Sequence, residues 1–140
     1  MPTAARVTCP RCAIPVPEAN PATLCPNCGG VLEVHVDRSG IGPGLADEIR
    51  RRPRGLWRWR EFLPIAEESS IVSLGEGDTP LVSTRRLAAE TGLERLWIKN
   101  DTLLPTGSLK DRSTTVALSH AREVKASAVG VSSTGNHAAA

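Results

Sequence analysis

Two cysteine pairs near the N-terminus restrict what the first part of this 140-residue chain can become. Two residues separate Cys9 from Cys12 and Cys25 from Cys28, and each pair reads Cys-Pro-x-Cys. Two such pairs place four thiolates within reach of one ion, and soft sulfur ligands in tetrahedral geometry suit zinc, with rubredoxin-type iron as the alternative. The filled coordination shell predicts a structural metal site, and reduced cysteines without metal are the competing interpretation.

The residues around the cysteines predict a small β module. Residues 31–38 read VLEVHVDR, in which apolar and polar residues alternate as in a half-buried strand. Fewer than forty residues rarely form a sufficient core, so a bound ion would stabilise this segment. His35 lies on the polar face of the strand and is expected to be solvated. Residues 1–38 are therefore predicted to form a zinc-ribbon-like module.

Charge and hydropathy exclude several classes of protein. Seventeen basic residues against fifteen acidic ones leave a net charge of +2, which is too balanced to indicate nucleic acid or an anionic membrane as a partner. The chain does not open with an apolar signal-peptide core, and no stretch approaches the roughly 18 apolar residues of a membrane span. We expect a cytoplasmic protein, whose paired cysteines bind metal instead of forming disulfides.

Glycine and proline mark off a second zone, residues 39–80, which runs from SGIGPG to GEGDTP and is predicted to be a linker and arm. Residues 50–60 read RRRPRGLWRWR. Arginines interleaved with tryptophans can follow a nucleic-acid backbone and stack on bases, so a zinc-ribbon nucleic-acid-binding module is one hypothesis. Acidic residues flank the run, which favours a solvated face whose aromatic side chains cover a neighbouring domain.

The third zone, residues 81–140, changes to a β-α-β pattern typical of an α/β fold with a parallel sheet. The pattern predicts a helix over 84–93, a strand over 95–100, a long helix over 108–126 and a strand over 128–133. Small and apolar residues recur every three or four positions of the long helix, which predicts a face packed on the sheet. That face comprises Leu109, Ser113, Val116, Ala117, Ala121 and Val124.

The end of the sequence predicts that this α/β domain is incomplete. The last residues begin a helix that has barely completed one turn, and such a helix is not a stable terminus. Two strands also make a poor free-standing parallel sheet, because both faces and both edges need cover. We therefore expect residues 81–140 to be the truncated first part of a longer catalytic domain.

A lysine stands in the first turn of the long helix, within the segment PTGSLKDR. Thr106 or Ser108 is a plausible capping residue, and Asp111 is expected to cap or pair locally. The positive end of the helix dipole and the neighbouring Arg112 both favour the uncharged amine of Lys110. An uncharged lysine amine is the nucleophile that forms a Schiff base with an aldehyde cofactor. An exposed surface turn is the competing interpretation.

A second polar loop, SSTGN, follows the strand predicted over 128–133 and ends where a helix begins. Hydroxyl groups and free backbone N–H groups at such a position converge on an anion. In an open α/β sheet the loops after adjacent strands open at the same edge, which is the usual ligand crevice. The lysine and this loop are therefore predicted to face one ligand.

Three segments, GEGDTPL, LPTGSLKDR and SSTGNHAAA, resemble in order and spacing the fold type II (tryptophan-synthase-β-like) pyridoxal-phosphate enzymes. The cysteine-rich segment and GLWRWREFLP look most like threonine synthases, so the resemblance runs from Cys9 to Ala140. It implies a pyridoxal-phosphate-dependent lyase that converts O-phosphohomoserine and water to threonine and phosphate. A serine/threonine dehydratase-like, β-eliminating enzyme is the alternative, because His137 stands where threonine synthases commonly carry Thr.

The resemblance also implies a role for individual residues. Lys110 would form the Schiff base with pyridoxal 5'-phosphate and then act as general base and acid at the substrate's α and β carbons. Asn136 would hydrogen-bond the phenolic oxygen of the cofactor, whose ring works as an electron sink. The loop that grips the substrate α-carboxylate would comprise Ser133, Thr134, Gly135, Asn136 and His137.

The chain departs from the family pattern in several places. Leu104 stands where the family usually has Asn, and Leu109 and Ser113 stand where it often has Phe and Gly. A glycine-rich phosphate loop and a partner for the pyridine nitrogen are not found in the sequence, so these 140 residues are expected to bind the cofactor weakly or not at all. His120 is expected to be structural. Related enzymes imply a homodimer that acts on a small amino-acid substrate, with no membrane partner.

Overall fold

The computed structural model describes residues 5–17 and 24–140, and it contains two small antiparallel sheets. In the first sheet, strand β1 (Ala5–Thr8) lies between β2 (Pro15–Val16) and β3 (Glu33–Val36). The strand predicted within 31–38 is thus confirmed. The predicted module also includes residues 1–4 and 18–23, which lie outside the described residues.

The arm is held by short helices and by its own arginines. It contains α1 (Leu45–Arg51) and two 3-10 turns (Leu56–Phe62 and Glu68–Ser70). The guanidinium of Arg52 donates to both carboxylate oxygens of Glu61, at 2.7 and 2.5 Å, and is largely buried. This bidentate pair joins the end of α1 to the following turn, so it fixes the bend of the arm.

Four other arginines of the arm also have partners within the chain. Arg58 donates to the carbonyl oxygen of Ile49 at 2.6 Å. Further pairs are Arg50 with Asp47 at 2.5 Å, Arg54 with Asp78 at 3.3 Å and Arg60 with Glu68 at 2.9 Å. Paired guanidiniums have fewer free donors for phosphates, so the arrangement favours the interpretation of the run as a solvated, self-paired face.

The Arg52–Glu61 pair predicts a defined acid sensitivity. Hydrogen bonds from Arg52 lower the pKa of Glu61 from 4.5 to about 2. Because this folded-state pKa is depressed, the contribution of the pair to stability is fully present above pH 4.5 and is lost as the pH falls toward about 2. Urea unfolding of wild type and Glu61→Gln should therefore give midpoints that differ at neutral pH and converge across this window.

A matched control for this prediction is Glu94→Gln, which replaces an exposed glutamate. It should leave the acid response of the wild type unchanged. A midpoint difference between wild type and Glu61→Gln that stayed constant through the acid window would contradict the assignment.

The second sheet is a two-stranded unit that frames a helix. Strand β4 (Leu81–Ser83) pairs antiparallel with β5 (Trp97–Lys99), and α2 (Arg85–Thr91) lies between them in sequence. The helix ends at Gly92, whose φ of 71° is left-handed, as a C-terminal glycine cap requires. The helix predicted over 84–93 and the strand predicted over 95–100 are thus confirmed, whereas β4 was not predicted.

The predicted strand over 128–133 is wrong, because these described residues form no strand and are exposed. The pairings seen in the described part of the chain are all antiparallel, so the predicted parallel sheet is not confirmed. A strand needs backbone partners beside it, and residues 128–133 have none to pair with here. The described residues therefore form an α/β arrangement of small sheets and helices.

None of the described helices combines the length and the apolar character needed to cross a membrane.

The long helix α3 (Lys110–Glu123) is confirmed, but its buried face differs from the predicted one. Its most deeply buried side chains are the polar ones of Asp111, Thr115 and Ser119. Thr115 and Ser119 contact the arm, at Glu76 and Val72. Leu109, by contrast, is 59% exposed. Three residues of the predicted face, Ser113, Val116 and Ala117, border an open groove of 530 Å³. The groove lies between α3, the arm and the first sheet, and its lining includes Ala5, Val7, Val34, Leu63, Val116 and Ala117.

Candidate functional site

The four cysteines converge on one point. Their sulfur atoms all lie within 4.8 Å of one another. The Sγ atoms of Cys9 and Cys28 are 3.5 Å apart, and those of Cys12 and Cys25 are 3.6 Å apart. Four sulfur ligands this close suit a tetrahedral ion, so the cluster is compatible with a metal site.

Both cysteine pairs use the same backbone turn. The N–H of Ala13 donates to the carbonyl of Cys9 at 2.7 Å, and the N–H of Gly29 donates to that of Cys25 at 2.9 Å. Ala13 and Gly29 both have positive φ, 59° and 67°. A Cβ on Gly30 would lie 3.3 Å from two of the sulfurs, so glycine lets the chain pass close to the cluster. The sequence thus builds two matching turns that aim four sulfurs inward.

The surroundings of the cluster shift the pKa values of two of its cysteines in opposite directions. A backbone hydrogen bond at Ile14, and then one from the Asn27 side chain, lower the pKa of Cys12 to about 6. At Cys28 the hydrogen bond at Gly30 acts in the same direction, but burial and the neighbouring thiols outweigh it and raise the pKa to about 12. The raised pKa of Cys28 disfavours its thiolate, and a bound divalent cation would favour it.

Lys110 is the first residue of α3, and its side chain is exposed. Its N–H donates to the hydroxyl of Ser108 at 3.2 Å, but the N-cap residue is Leu109 and not the predicted Thr106 or Ser108. The chain contains two other lysines, Lys99 and Lys125. The amine of Lys99 donates to the carbonyl oxygen of Thr79. Lys125 follows the end of α3.

The residues that follow Lys110 are tied to earlier segments. Asp111 accepts hydrogen bonds from the N–H of Thr106, at 2.9 Å, and from its hydroxyl. Arg112 donates to both carboxylate oxygens of Asp101, at 2.9 and 3.2 Å. The Arg112 hydrogen bonds, followed by that of the Thr79 hydroxyl, hold the pKa of Asp101 below its usual range. The hydrogen bonds of Asp111 with Thr106 and the ion pair of Arg112 with Asp101 therefore fix the start of α3.

Sequence reasoning missed three polar residues of this region: Glu76, Thr79 and Asp101. Glu76 is 1% exposed, and its carboxylate accepts from Thr115 at 2.7 Å and from Ser73 and the N–H of Leu74 at 2.8 Å. The available signal was the acidic residue enclosed by glycines in GEGDTP, a segment that sequence reasoning treated as a loop and as part of the family resemblance without assigning a role to Glu76. A buried carboxylate must be matched by donors, and here the donors come from α3 and the arm.

The second loop leads into α4 (Asn136–Ala139), which lies against α3. The helices that carry Lys110 and Asn136 are therefore in contact. The hydroxyl of Ser133 accepts from the N–H of Gly135 at 3.2 Å, which shapes the turn before α4. The predicted carboxylate-binding residues, 133–137, are all exposed.

Comparison with known proteins shows which family and which enzymes the chain is similar to. Residues 72–140 match the model of a family described as pyridoxal-phosphate dependent enzyme. The threonine synthase of Methanocaldococcus jannaschii is 45% identical over 113 residues, which are 80% of this chain and 28% of that protein. The threonine synthase of Methanosarcina acetivorans is 36% identical over 116 residues, 83% of this chain and 28% of that protein.

A third relative, the threonine synthase of a Synechocystis species, is 45% identical over 91 residues, 64% of this chain and 24% of that protein. The chain thus spans 28% or less of the length of these curated relatives. No solved structure gives a significant match. Residues 72–140 are thus similar to the pyridoxal-phosphate dependent enzyme family, and over most of its length the chain is similar to threonine synthases.

Proposed function

We propose that the protein carrying this sequence is a pyridoxal-phosphate-dependent lyase, a threonine synthase that converts O-phosphohomoserine and water to threonine and phosphate. The observation that carries the proposal is the 45% identity to a threonine synthase over 80% of the chain. An exposed lysine at the start of an anchored helix supports it, because the cofactor needs an accessible amine on a fixed backbone.

In this proposal Lys110 holds the cofactor, and Asn136 donates to its phenolic oxygen. Pyridoxal phosphate, when bound, supplies an electron sink for the substrate's α and β carbons. The Lys110 amine moves protons at those two carbons. The loop of Ser133, Thr134, Gly135, Asn136 and His137 binds the substrate α-carboxylate. The exposure of this loop and the contact of α4 with α3 support the assignment, since substrate must reach both elements.

The remaining parts have supporting roles. Cys9, Cys12, Cys25 and Cys28 hold a structural ion, zinc in preference to iron. Residues 1–38 form the metal-binding module, 39–80 the linker and arm, and 81–140 the first part of a catalytic domain with a parallel sheet. The full-length protein works in the cytoplasm as a homodimer on a small amino-acid substrate, with no membrane partner.

The alternative activity is β-elimination from serine or threonine. It is favoured by one observation, the Gly-Asn-His sequence that ends at His137. Turnover of O-phosphohomoserine against serine and threonine by the full-length protein separates the two activities, because only a threonine synthase releases phosphate from the first substrate.

The test of the proposal is to trap the cofactor on its lysine. The full-length protein is loaded with pyridoxal phosphate, reduced with borohydride and digested, and the labelled peptide is mapped. We expect the label on Lys110 and its loss in Lys110→Ala. Lys125→Ala is the matched control and should keep the label. A label on Lys99 or Lys125, or a protein that takes up no cofactor, would contradict the proposal.

A further inference from the structure

We propose that Asp111 and Arg112 are positioning residues that fix the backbone of Lys110 while leaving its amine free. The inference rests on the proposed function of Lys110 as the cofactor lysine. The two residues after the lysine would thus have a role other than binding cofactor or substrate.

The first contact is formed by Asp111, whose side chain is 0% exposed. Its carboxylate accepts from the N–H of Thr106, at 2.9 Å, and from the Thr106 hydroxyl. Thr106 belongs to the turn before the helix, where Gly107 has a φ of 73°. The hydrogen bonds of this carboxylate thus connect the turn to the first turn of α3. A buried carboxylate is costly unless donors match it, so its removal leaves two donors without a partner.

The second contact runs from Arg112 to a different part of the chain. Its guanidinium meets both oxygens of Asp101 and also donates to the Thr79 hydroxyl at 3.1 Å. The same hydroxyl donates to Asp101 at 2.6 Å, so the three side chains form a closed network. Bidentate Arg–carboxylate contacts fix orientation as well as distance.

Lys110 itself takes no part in either network through its side chain. Its N–H donates to Ser108, and its carbonyl oxygen accepts from the hydroxyl of Ser113 at 3.0 Å. The backbone is thus held while the exposed amine stays available. This combination is what a covalent cofactor site requires, because a misplacement of about 1 Å can reduce the rate about 100-fold.

The experiment uses the full-length, cofactor-loaded enzyme with Asp111→Asn, Thr106→Val and the double variant. Asparagine keeps the shape of Asp111 but places an amide donor against the donors of Thr106. We expect borohydride still to label Lys110 in all three variants. We also expect kcat to fall about 100-fold with a much smaller change in KM, and the pH titration of the bound cofactor's visible absorbance to shift.

The double variant reports whether Asp111 acts through Thr106. Because the two groups share one contact, the loss of kcat in the double variant should be no larger than that in the worse single variant. Asp47→Asn breaks an exposed ion pair of α1 and is the matched control. It should leave both kcat and the absorbance titration at their wild-type values.

The outcomes distinguish the positioning role of Asp111 from the proposed function of Lys110. Wild-type kcat and an unchanged titration in Asp111→Asn would overturn the positioning role, as would additive losses in the double variant. Absence of label on Lys110 in the wild type would overturn the proposed function instead. If Asp111→Asn fails to fold, Thr106→Val and Arg112→Lys carry the test, with the same expected losses and the same overturning result.

Discussion

Replacing Cys9 with serine should abolish metal binding and unfold the sheet of β1, β2 and β3. Four sulfurs that lie within 4.8 Å of one another can hold one ion, and Val16 is the other deeply buried side chain among the described residues of this module. Metal binding to small four-ligand modules supplies about 10–16 kcal/mol of apparent free energy, far more than such a core provides. Hydrogen exchange of residues 5–17 and 24–36 should become fast in the variant, and elemental analysis should find no bound metal.

The control for this prediction is Arg11→Ala, which alters an exposed residue between the first two cysteines. Arg11 donates only a 3.4 Å hydrogen bond to the carbonyl of Cys28, so its loss leaves all four sulfurs in place. The control should keep one equivalent of metal and its slow exchange. A Cys9→Ser protein that kept both would show that the cysteines are reduced thiols with no part in metal binding.

The cysteine cluster could be predicted from sequence because its geometry is set locally. A two-residue spacing brings two sulfurs together in a single turn, and each turn is closed by hydrogen bonds within six residues, such as those of Ala13 and Gly29. The start of α3 could be predicted for the same reason, since the N–H of Lys110 donates to the hydroxyl of Ser108, two residues away. Because such structures depend on residues that are close in sequence, distant parts of the chain have little effect on them.

The buried face of α3 could not be predicted, because its partners lie far away in sequence. Ser119 is buried since its hydroxyl accepts from the N–H of Val72 at 2.9 Å, and Thr115 is buried since it donates to Glu76. Polarity alone places both side chains in water, and only the fold brings them donors and acceptors. Residues 128–133 have the composition of a strand but lack a neighbour, so composition predicted a strand that does not form.

The site residues stay predictions. Lys110 and Asn136 lie on helices in mutual contact, but the adjacent parallel strands on which the prediction of a shared ligand crevice rested are not confirmed. The residues that anchor the lysine, above all Asp101 and Arg112, form a contact across eleven positions. Their residue types are common on protein surfaces, so only the hydrogen bonds of the folded chain identify them as an anchor.

Gly77→Ala should destabilise the fold by about 3 kcal/mol or more, because residue 77 combines left-handed backbone with a close approach to other main-chain atoms. Its φ is +103°, and a Cβ there would lie 2.4 Å from the backbone nitrogen of Leu56. That nitrogen donates to the carbonyl of Glu76 at 2.8 Å. The added methyl group would therefore break the hydrogen bond that joins Leu56 to the GEGDTP loop at the end of the arm. The change is measured by urea unfolding.

The neighbouring Gly75 separates the two causes of this loss. Its φ of +77° is also left-handed, but a Cβ on Gly75 would meet nothing within 4 Å. Gly75→Ala should therefore lose only the conformational term, about 1–2 kcal/mol. The difference between the two variants then measures the clash with the backbone at Leu56. Equal losses would show that the arm and the loop do not approach each other this closely. A larger loss for Gly77→Ala would place the arm directly against the loop that supplies Glu76 to α3, the helix of Lys110.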